Sequence, residues 1–294
     1  KVAVIGAGGK MGTRTSNNLV TKFPDKFDVK LVETFPPAVE RIEKERGLKV
    51  TPVDEALAFA DVVIFAVPDT LIKKLSAEYV PMLKPGTVFL ILDPAAAVAK
   101  ELTLRDDCTF GVAHPCHPSY FKWQKEEEAY QDRFGGEGGH QDIVMSCIQG
   151  DEEKFKLAQE TARCMYRADK AFVMTSEQIA FLEPTLVETL GATCCYAMAE
   201  TVNEAVKRGI DREAAVSFLT GHVFNLTANF LGYLPGNPPV SDACKVALEI
   251  GNHLVLRDDW KKIWDDELLR KVIATMLHPE TSQENLGFDV KPQK

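Results

Sequence analysis

"VAVIGAGGKMGTR", residues 2–14, runs an apolar stretch into a turn with glycines at 6, 8, 9 and 12, then into a polar, helix-prone segment. A short, wholly apolar run of this kind reads as a strand buried on both faces. The glycine spacing fits GxGxxxG and GxxGxxG equally. Gly6 permits a tight turn, Gly8 and Gly9 let backbone approach a pyrophosphate, and Gly12 lets the helix pack closely on the strand. The helix opening at Lys10 and Met11 points its first amide N–H groups at the phosphates. Strand, turn and helix in this order begin a dinucleotide-binding unit, and that unit sets the expectation for the rest of the domain.

The following sequence keeps the pattern. DVKLVE (28–33) is a second strand ending on Glu33, about 20 residues past the glycine turn, where a carboxylate accepts hydrogen bonds from a ribose diol. Thr34, Phe35, Pro36 and Pro37 follow it and supply no arginine for a 2′-phosphate, so NAD is expected rather than NADP. A charged helix is expected over 37–46 and a short third strand at KVT (49–51). VVIFAV (62–67), VFLILD (88–93) and FGVAH (110–114) read as the fourth to sixth strands, with DIVMSCIQ (142–149) and KAFVM (170–174) beyond them. Strands alternating with helices imply a doubly wound parallel sheet. Ligands of such sheets lie beyond the carboxyl ends of the strands, which adds Val67, Pro68, Asp69 and Pro94 to the expected cofactor lining. Asp69 also suits a helix cap, and Asp93 is open between facing a ligand and capping.

After about residue 175 helical periodicity takes over, across 176–208, 211–232, 241–256 and 260–277. Gly209 reads as a helix end, Asp211 and Ser241 as N-caps, and the polar tail 279–294 as loose. The expected organisation is an α/β Rossmann domain over 1–175 and an all-helical substrate and dimerisation domain over 176–294.

Composition narrows the function. A chain of 294 residues is long for one core. A net charge of −9 argues against nucleic-acid binding, and no apolar run approaches the roughly 20 residues that cross a bilayer, so no membrane role is expected. The chain opens on a strand with no visible signal peptide, and the absent initiator Met suggests that the natural chain begins earlier; a cytoplasmic location is expected. Seven cysteines without a CxxC pair read as free, mostly buried thiols, with Cys194 and Cys195 packing inside a helix.

Chemistry concentrates in GVAHPCHPSYF (111–121). Oxidising a secondary alcohol needs a base within hydrogen-bond reach of its hydroxyl, and His114 at a strand end is well placed for that. An unperturbed histidine titrates near pH 6.5. His117 lies three residues on, in a loop stiffened by Pro115 and Pro118. Two histidines with a carboxylate can hold a divalent metal with an open position. A histidine–carboxylate network without metal is the favoured alternative. Glu183 is the natural carboxylate. Pro184 after it suits a first helical turn, so a helix is expected to restart there. Glu188 is a second carboxylate, read as contacting substrate or as a solvated face. His222, Asn225 and Asn229 fall on one helical face at i, i+3 and i+7, among Phe218, Phe224, Leu226 and Phe230, which read as core. That polar stripe suits a substrate pocket or a dimer contact. KWQKEEEAYQDRFGGEGGHQD (122–142) reads as a mobile surface loop, placed where a lid would be.

The GAGGKMG turn, the AVPD and LDPAA strand ends and the helical second half resemble the superfamily of 6-phosphogluconate dehydrogenase, the β-hydroxyacid dehydrogenases and prephenate dehydrogenase. The turn alone is also similar to that of dihydrodipicolinate reductase, whose second half does not match. AHP (113–115) resembles the His-Pro of prephenate dehydrogenases, where the histidine contacts the hydroxyl being oxidised; the resemblance implies that role for His114. VMTSEQ (173–178) resembles the entry to their first interdomain helix. FLEPTLVETLGA (181–192) departs from the Lys and Asn of the β-hydroxyacid dehydrogenases and offers Glu183 and Glu188. HPCHPSYF, that carboxylate and GHVFN (221–225) are together most similar to a phosphogluconate dehydrogenase-like sugar-acid branch that includes oxidoisomerases. The resemblance implies an NAD-dependent, homodimeric oxidoreductase acting on the secondary alcohol of a small acidic sugar derivative, with rearrangement as a possible second step. The alternatives are a plain prephenate- or hydroxyacid-type dehydrogenase and a non-catalytic NAD-binding sensor.

Overall fold

Strand β1 (Val2–Ile5) is wholly buried, and the chain leaves it through the glycine turn into α1 (Lys10–Thr21). The structure is a computed structural model that describes residues 1–290. In chain order there follow β2 (Val29–Val32), α2 (Pro36–Glu40) with a π-helical extension over Arg41–Glu45, α3 (Val53–Phe59), β3 (Val62–Phe65) and α4 (Asp69–Tyr79). Next come β4 (Val88–Ile91), α5 (Ala95–Val98), β5 (Thr109–Pro115), α6 (Glu127–Gln131), β6 (Gln141–Gln149), α7 (Glu152–Tyr166), β7 (Ala168–Val173) and α8 (Ser176–Ala180). A π-helical stretch over Phe181–Ala192 is followed by α9 (Thr193–Lys207), α10 (Arg212–Phe230), α11 (Asp242–Leu254), α12 (Asp266–Leu277) and α13 (Ser282–Leu286).

The seven strands form one sheet in the order β2-β1-β3-β4-β5-β6-β7. All pairs are parallel except β5 with β6, so the sheet is mostly rather than wholly parallel. The reversal comes from the insertion after β5, which brings the chain back into the sheet on the side where β5 ended. The strand order changes direction between β1 and β3, and a crevice for a ligand opens at such a point. KVT contributes only a bridge between Leu31 and Val50. AHP therefore closes the fifth strand of the sheet.

The chain divides into two compact units, Lys1–Ala180 with Arg270–Lys294, and Phe181–Leu269. In the first, β1, β3 and β4 are apolar on both faces, as strands between two helical layers must be. The amphipathic α7 buries Phe155, Ala158, Ala162 and Met165 in the same core. The tail expected to be loose is ordered as far as the described residues go. Asn285 donates to Thr275 and Thr281, and the amide of Val290 donates to Ser282. Residues 291–294 lie outside the description.

In the second unit, Asp211 and Ser241 cap α10 and α11, accepting from the amides of Ala214 and Cys244. Gly209 ends α9 with a left-handed φ of 84°. The expected restart at Pro184 does not occur. The helix instead widens into π geometry, in which a proline without an N–H is tolerated, and Thr189 Oγ1 donates to the Pro184 carbonyl five residues back. The expected aromatic core of α10 is also absent from the single chain, since Phe218, Phe224 and Phe230 are exposed. Only Cys108 and Cys164 are buried among the seven free thiols, and Cys194 and Cys195 face outward.

Candidate active site

The glycine turn is held by sterics and by one carboxylate. At Gly12 a side chain would collide with the Gly6 carbonyl, since an added Cβ would sit 2.0 Å from that oxygen. Gly6 has φ 76° and lies so close to the end of β3 that an added Cβ would approach the Ala66 carbonyl to 2.5 Å. Gly9 occupies the N-cap of α1 and has no side chain to block a phosphate. Glu33 binds the turn to the end of β2: Oε2 accepts from the Gly8 amide at 3.0 Å, and Oε1 accepts from the amides of Thr34 and Phe35 at 2.9 and 3.0 Å. A carboxylate has about four acceptor sites, so Glu33 retains capacity for ribose hydroxyls.

Val67, Pro68 and Asp69 lie at the end of β3, beside Gly6 across the strand-order reversal. Pro68 takes the N-cap of α4 and Asp69 the first helical position, where its carboxylate lies in the first turn of the helix. Asp93 does cap, accepting from the Ala95 amide at 2.8 Å through Oδ1 across Pro94.

His114 stands at the end of β5, half-buried. Its Nδ1–H donates to the Leu92 carbonyl at 2.7 Å, which leaves the lone pair of a neutral ring on Nε2. A ring nitrogen of His114 and a carboxylate oxygen of Asp93 lie within 4.8 Å of each other. A histidine whose tautomer is fixed by a carbonyl, beside a carboxylate on the neighbouring strand end, can accept a proton or join the carboxylate in holding a cation.

Tyr166, a residue the sequence did not flag, fixes the chain just before His114. It is fully buried at the end of α7 and donates from its hydroxyl to the Ala113 carbonyl at 3.1 Å. Burial pushes this phenol well above its ordinary range, against an opposing pull from Arg14. Gln141 Nε2 donates to the Tyr166 carbonyl, and Gln141 Oε1 accepts from Arg14 Nη2 at 2.8 Å. One buried network thus ties α1 to the end of β5.

His117 has left-handed backbone, φ 61°, and turns to the insertion. Its Nδ1 meets the Phe134 carbonyl at 3.1 Å, and its ring packs on Phe134. Lys10 and Arg14 of α1 sit over the same ring, each 4.3 Å from its centre. The insertion is accordingly built as a cap on α1. Asp132 organises it by accepting from the amides of Gly135, Gly136, Glu137, Gly138 and Gly139. Burial opposes ionisation of Asp132, but these amides win and lower its pKa to about 2. Lys122 closes the base of the insertion on Asp142 and Asp169, at 2.9 and 2.6 Å.

In the helical unit, Glu183 is half-buried and Glu188 exposed, both within the π-helical stretch. His222 bonds back to the Phe218 carbonyl one turn earlier and stacks on Phe218. Asn225 is exposed, and Asn229 donates to the Pro238 carbonyl, fastening the loop before α11.

A Rossmann sheet with a glycine turn closed by a strand-end carboxylate, and a strand-end histidine beside an aspartate, is the architecture of a dinucleotide-dependent oxidoreductase of the 6-phosphogluconate dehydrogenase-like superfamily. Residues 122–277 match the family model for the C-terminal part of decarboxylating phosphogluconate dehydrogenase, and residues 1–111 match that for the NADPH-binding domain of acetohydroxy acid isomeroreductase. D-apionate oxidoisomerase from Blautia hydrogenotrophica is 72% identical over 96% of this chain and 98% of its own. D-apionate oxidoisomerase from Cupriavidus necator is 42% identical over 93% of this chain and 98% of its own. A crystal structure of a semialdehyde dehydrogenase NAD-binding protein from Cupriavidus necator, in complex with calcium and NAD, is 41% identical and superposes with a TM-score of 0.87, covering 94% of this chain and 98% of that one. The chain belongs to the family of the D-apionate oxidoisomerases.

Proposed function

We propose that this enzyme oxidises the secondary alcohol of a branched sugar acid, D-apionate or a close analogue, with NAD, and rearranges the resulting ketone. The observation that carries the reading is the His114–Asp93 pair at the cofactor end of the sheet, in a chain 72% identical to a D-apionate oxidoisomerase. Bound NAD supplies the hydride acceptor. His114 Nε2 takes the hydroxyl proton as the C–H electron pair leaves as hydride, so the alcohol becomes a ketone and the histidine an imidazolium that Asp93 stabilises. In the second step a carbon substituent moves, with its bonding pair, from the adjacent carbinol carbon to the new carbonyl carbon. The carbinol oxygen releases its proton to solvent, as the net proton of the NAD-dependent oxidation, and becomes the new carbonyl, while the former ketone oxygen is protonated. No atoms are gained or lost, so the product is an isomer of the first ketone. Returning the His114 proton to that oxygen closes the step.

Glu183 and His117 are proposed to serve the rearrangement, Glu183 as an acid–base carboxylate and His117 by positioning the loop between His114 and the insertion. Glu188, His222, Asn225 and Asn229 are proposed substrate contacts. The Asp93 carboxylate would fit a divalent cation with positions left for substrate oxygens, the one free lone pair of His114 being kept for the proton transfer. A cation held there would polarise the ketone for migration. We place the enzyme in the cytoplasm, in keeping with its outward-facing free thiols. It is proposed to work as a homodimer, in keeping with the exposed aromatic residues of α10.

Purified protein incubated with NAD and a panel of branched and linear aldonates should form NADH with D-apionate and yield a product with a rearranged carbon skeleton by NMR. An unrearranged ketone would reduce the function to plain dehydrogenation. NAD binding without oxidation of any acid would reduce it to a sensor. Exhaustive chelation followed by metal analysis and readdition tests the cation: the rearrangement should fall away and return with the metal.

A further inference from the structure

The outward flank of α1 carries a cavity that the proposed reaction does not use. Its volume is about 840 Å³, and five cationic side chains line it: Lys10, Arg14, Arg41, Arg46 and Arg133. This concentration of positive charge sits on a protein of net charge −9. The carboxylates at its rim offer little compensation. Asp132 is engaged by five backbone amides, and Glu137 is exposed.

The arginines are anchored by one end and leave donors over. Arg41 Nη2 donates to the Gly8 carbonyl at 2.9 Å, and Arg46 Nη2 to Ser16 Oγ at 3.0 Å. Arg46 Nη1 is buried and has no acceptor, nor has Nε of Arg14, a residue only 3% exposed. Arg133 sits over the rings of Tyr130 and Tyr120, at 4.0 and 4.6 Å from their centres, which holds its guanidinium at the cavity wall.

The position separates this cavity from the dinucleotide crevice. Residues 10, 13, 14 and 17 line it, at helical spacing along one flank of α1. Gly6, Glu33, Val67 and Pro94, which mark the crevice at the strand ends, do not. The two spaces meet only at Gly8, Gly9 and Lys10.

We propose that this cavity binds a phosphate-bearing small molecule while NAD occupies the crevice. Guanidinium forks match the paired oxygens of a phosphate, and those of Arg41, Arg46 and Arg133 together suit a group of more than one negative charge. The site stands independently of the substrate assignment, because its test requires no turnover.

Inorganic phosphate and pyrophosphate titrated calorimetrically into NAD-free and NAD-saturated protein test it. Saturable binding is expected in both states. Arg46→Gln and Arg133→Gln should each weaken it at least tenfold while NAD affinity stays within twofold, with folding checked by thermal unfolding. Arg133 lies on the insertion, so its variant keeps the test alive if Arg46→Gln fails to fold. The proposal is overturned if neither anion binds saturably, if saturating NAD abolishes binding, or if both variants bind as the unaltered protein does.

Discussion

At the scale of single residues, His114 and Asp132 show how backbone groups set protonation. The Leu92 carbonyl fixes the His114 tautomer, so replacing the ring should cost proton transfer more than binding. His114→Asn is expected to lower kcat by about 10²- to 10⁴-fold with a small change in KM for NAD, measured by NADH formation. Glu33→Ser should raise KM for NAD at least tenfold and that for NADP far less, because the change removes the diol acceptor and frees the Gly8 amide. An unaltered protein that prefers NADP would overturn the NAD assignment. For Asp132 the folded pKa of about 2 lies below the ordinary 3.8, so its ionised form stabilises the fold. That contribution is complete above about pH 4 and is lost as pH falls through about 2. It amounts to on the order of 1 kcal/mol after allowance for solvent screening. Urea unfolding at pH 5 and pH 2.5 should show the gap between the unaltered protein and Asp132→Asn narrowing at the lower pH. Glu33 and His114 are legible in the sequence because strand ends are local signals. Arg14 and Tyr166 are not, since their partners Gln141 and Ala113 lie 127 and 53 residues away.

Among the elements, the glycine turn and the π-helical stretch mark the two limits of sequence reading. The turn is legible because its requirement is steric and lies within one strand, one turn and one helix. Gly12→Ala would push a methyl group into the Gly6 carbonyl, so α1 would have to lift from β1. Destabilisation of about 3 kcal/mol is expected, with loss of NAD binding, from chemical unfolding and fluorescence titration. Near-native stability and affinity would show that the turn can relax. Pro184 reads as a restart, and the neighbouring backbone instead accommodates it within continuous π geometry, which the sequence around it does not signal. KVT failed as a strand for a related reason: only Val50 reaches a partner, so β-propensity without a ladder yields a bridge. Composition shows the insertion only as a surface loop; its organisation by glycine amides converging on Asp132 is a pattern that composition hides.

For the molecule as a whole, burial in a single chain separates the two units more sharply than their sequences do. The Rossmann sheet is complete, with every residue of β1, β3 and β4 buried. The helix α11, by contrast, has no buried residue. Along it Val246, Ile250 and Leu254 recur at i, i+4 and i+8 and are 62, 53 and 80% exposed. A stripe of that kind is a core face in waiting, and each such side chain gains about 1.5–3 kcal/mol when covered. The periodicity was legible, but what covers the stripe was not, because a helix that packs on its own chain and one that packs on a second copy have the same pattern. If a second copy covers it, each charge placed on the stripe is buried twice in the assembly, once from each protomer. Ile250→Glu with Leu254→Glu should therefore convert a dimer to monomers by light scattering, while the Rossmann unit still binds NAD. A double variant that remains dimeric would move the interface elsewhere, and an unaltered protein that is monomeric at micromolar concentration would remove it.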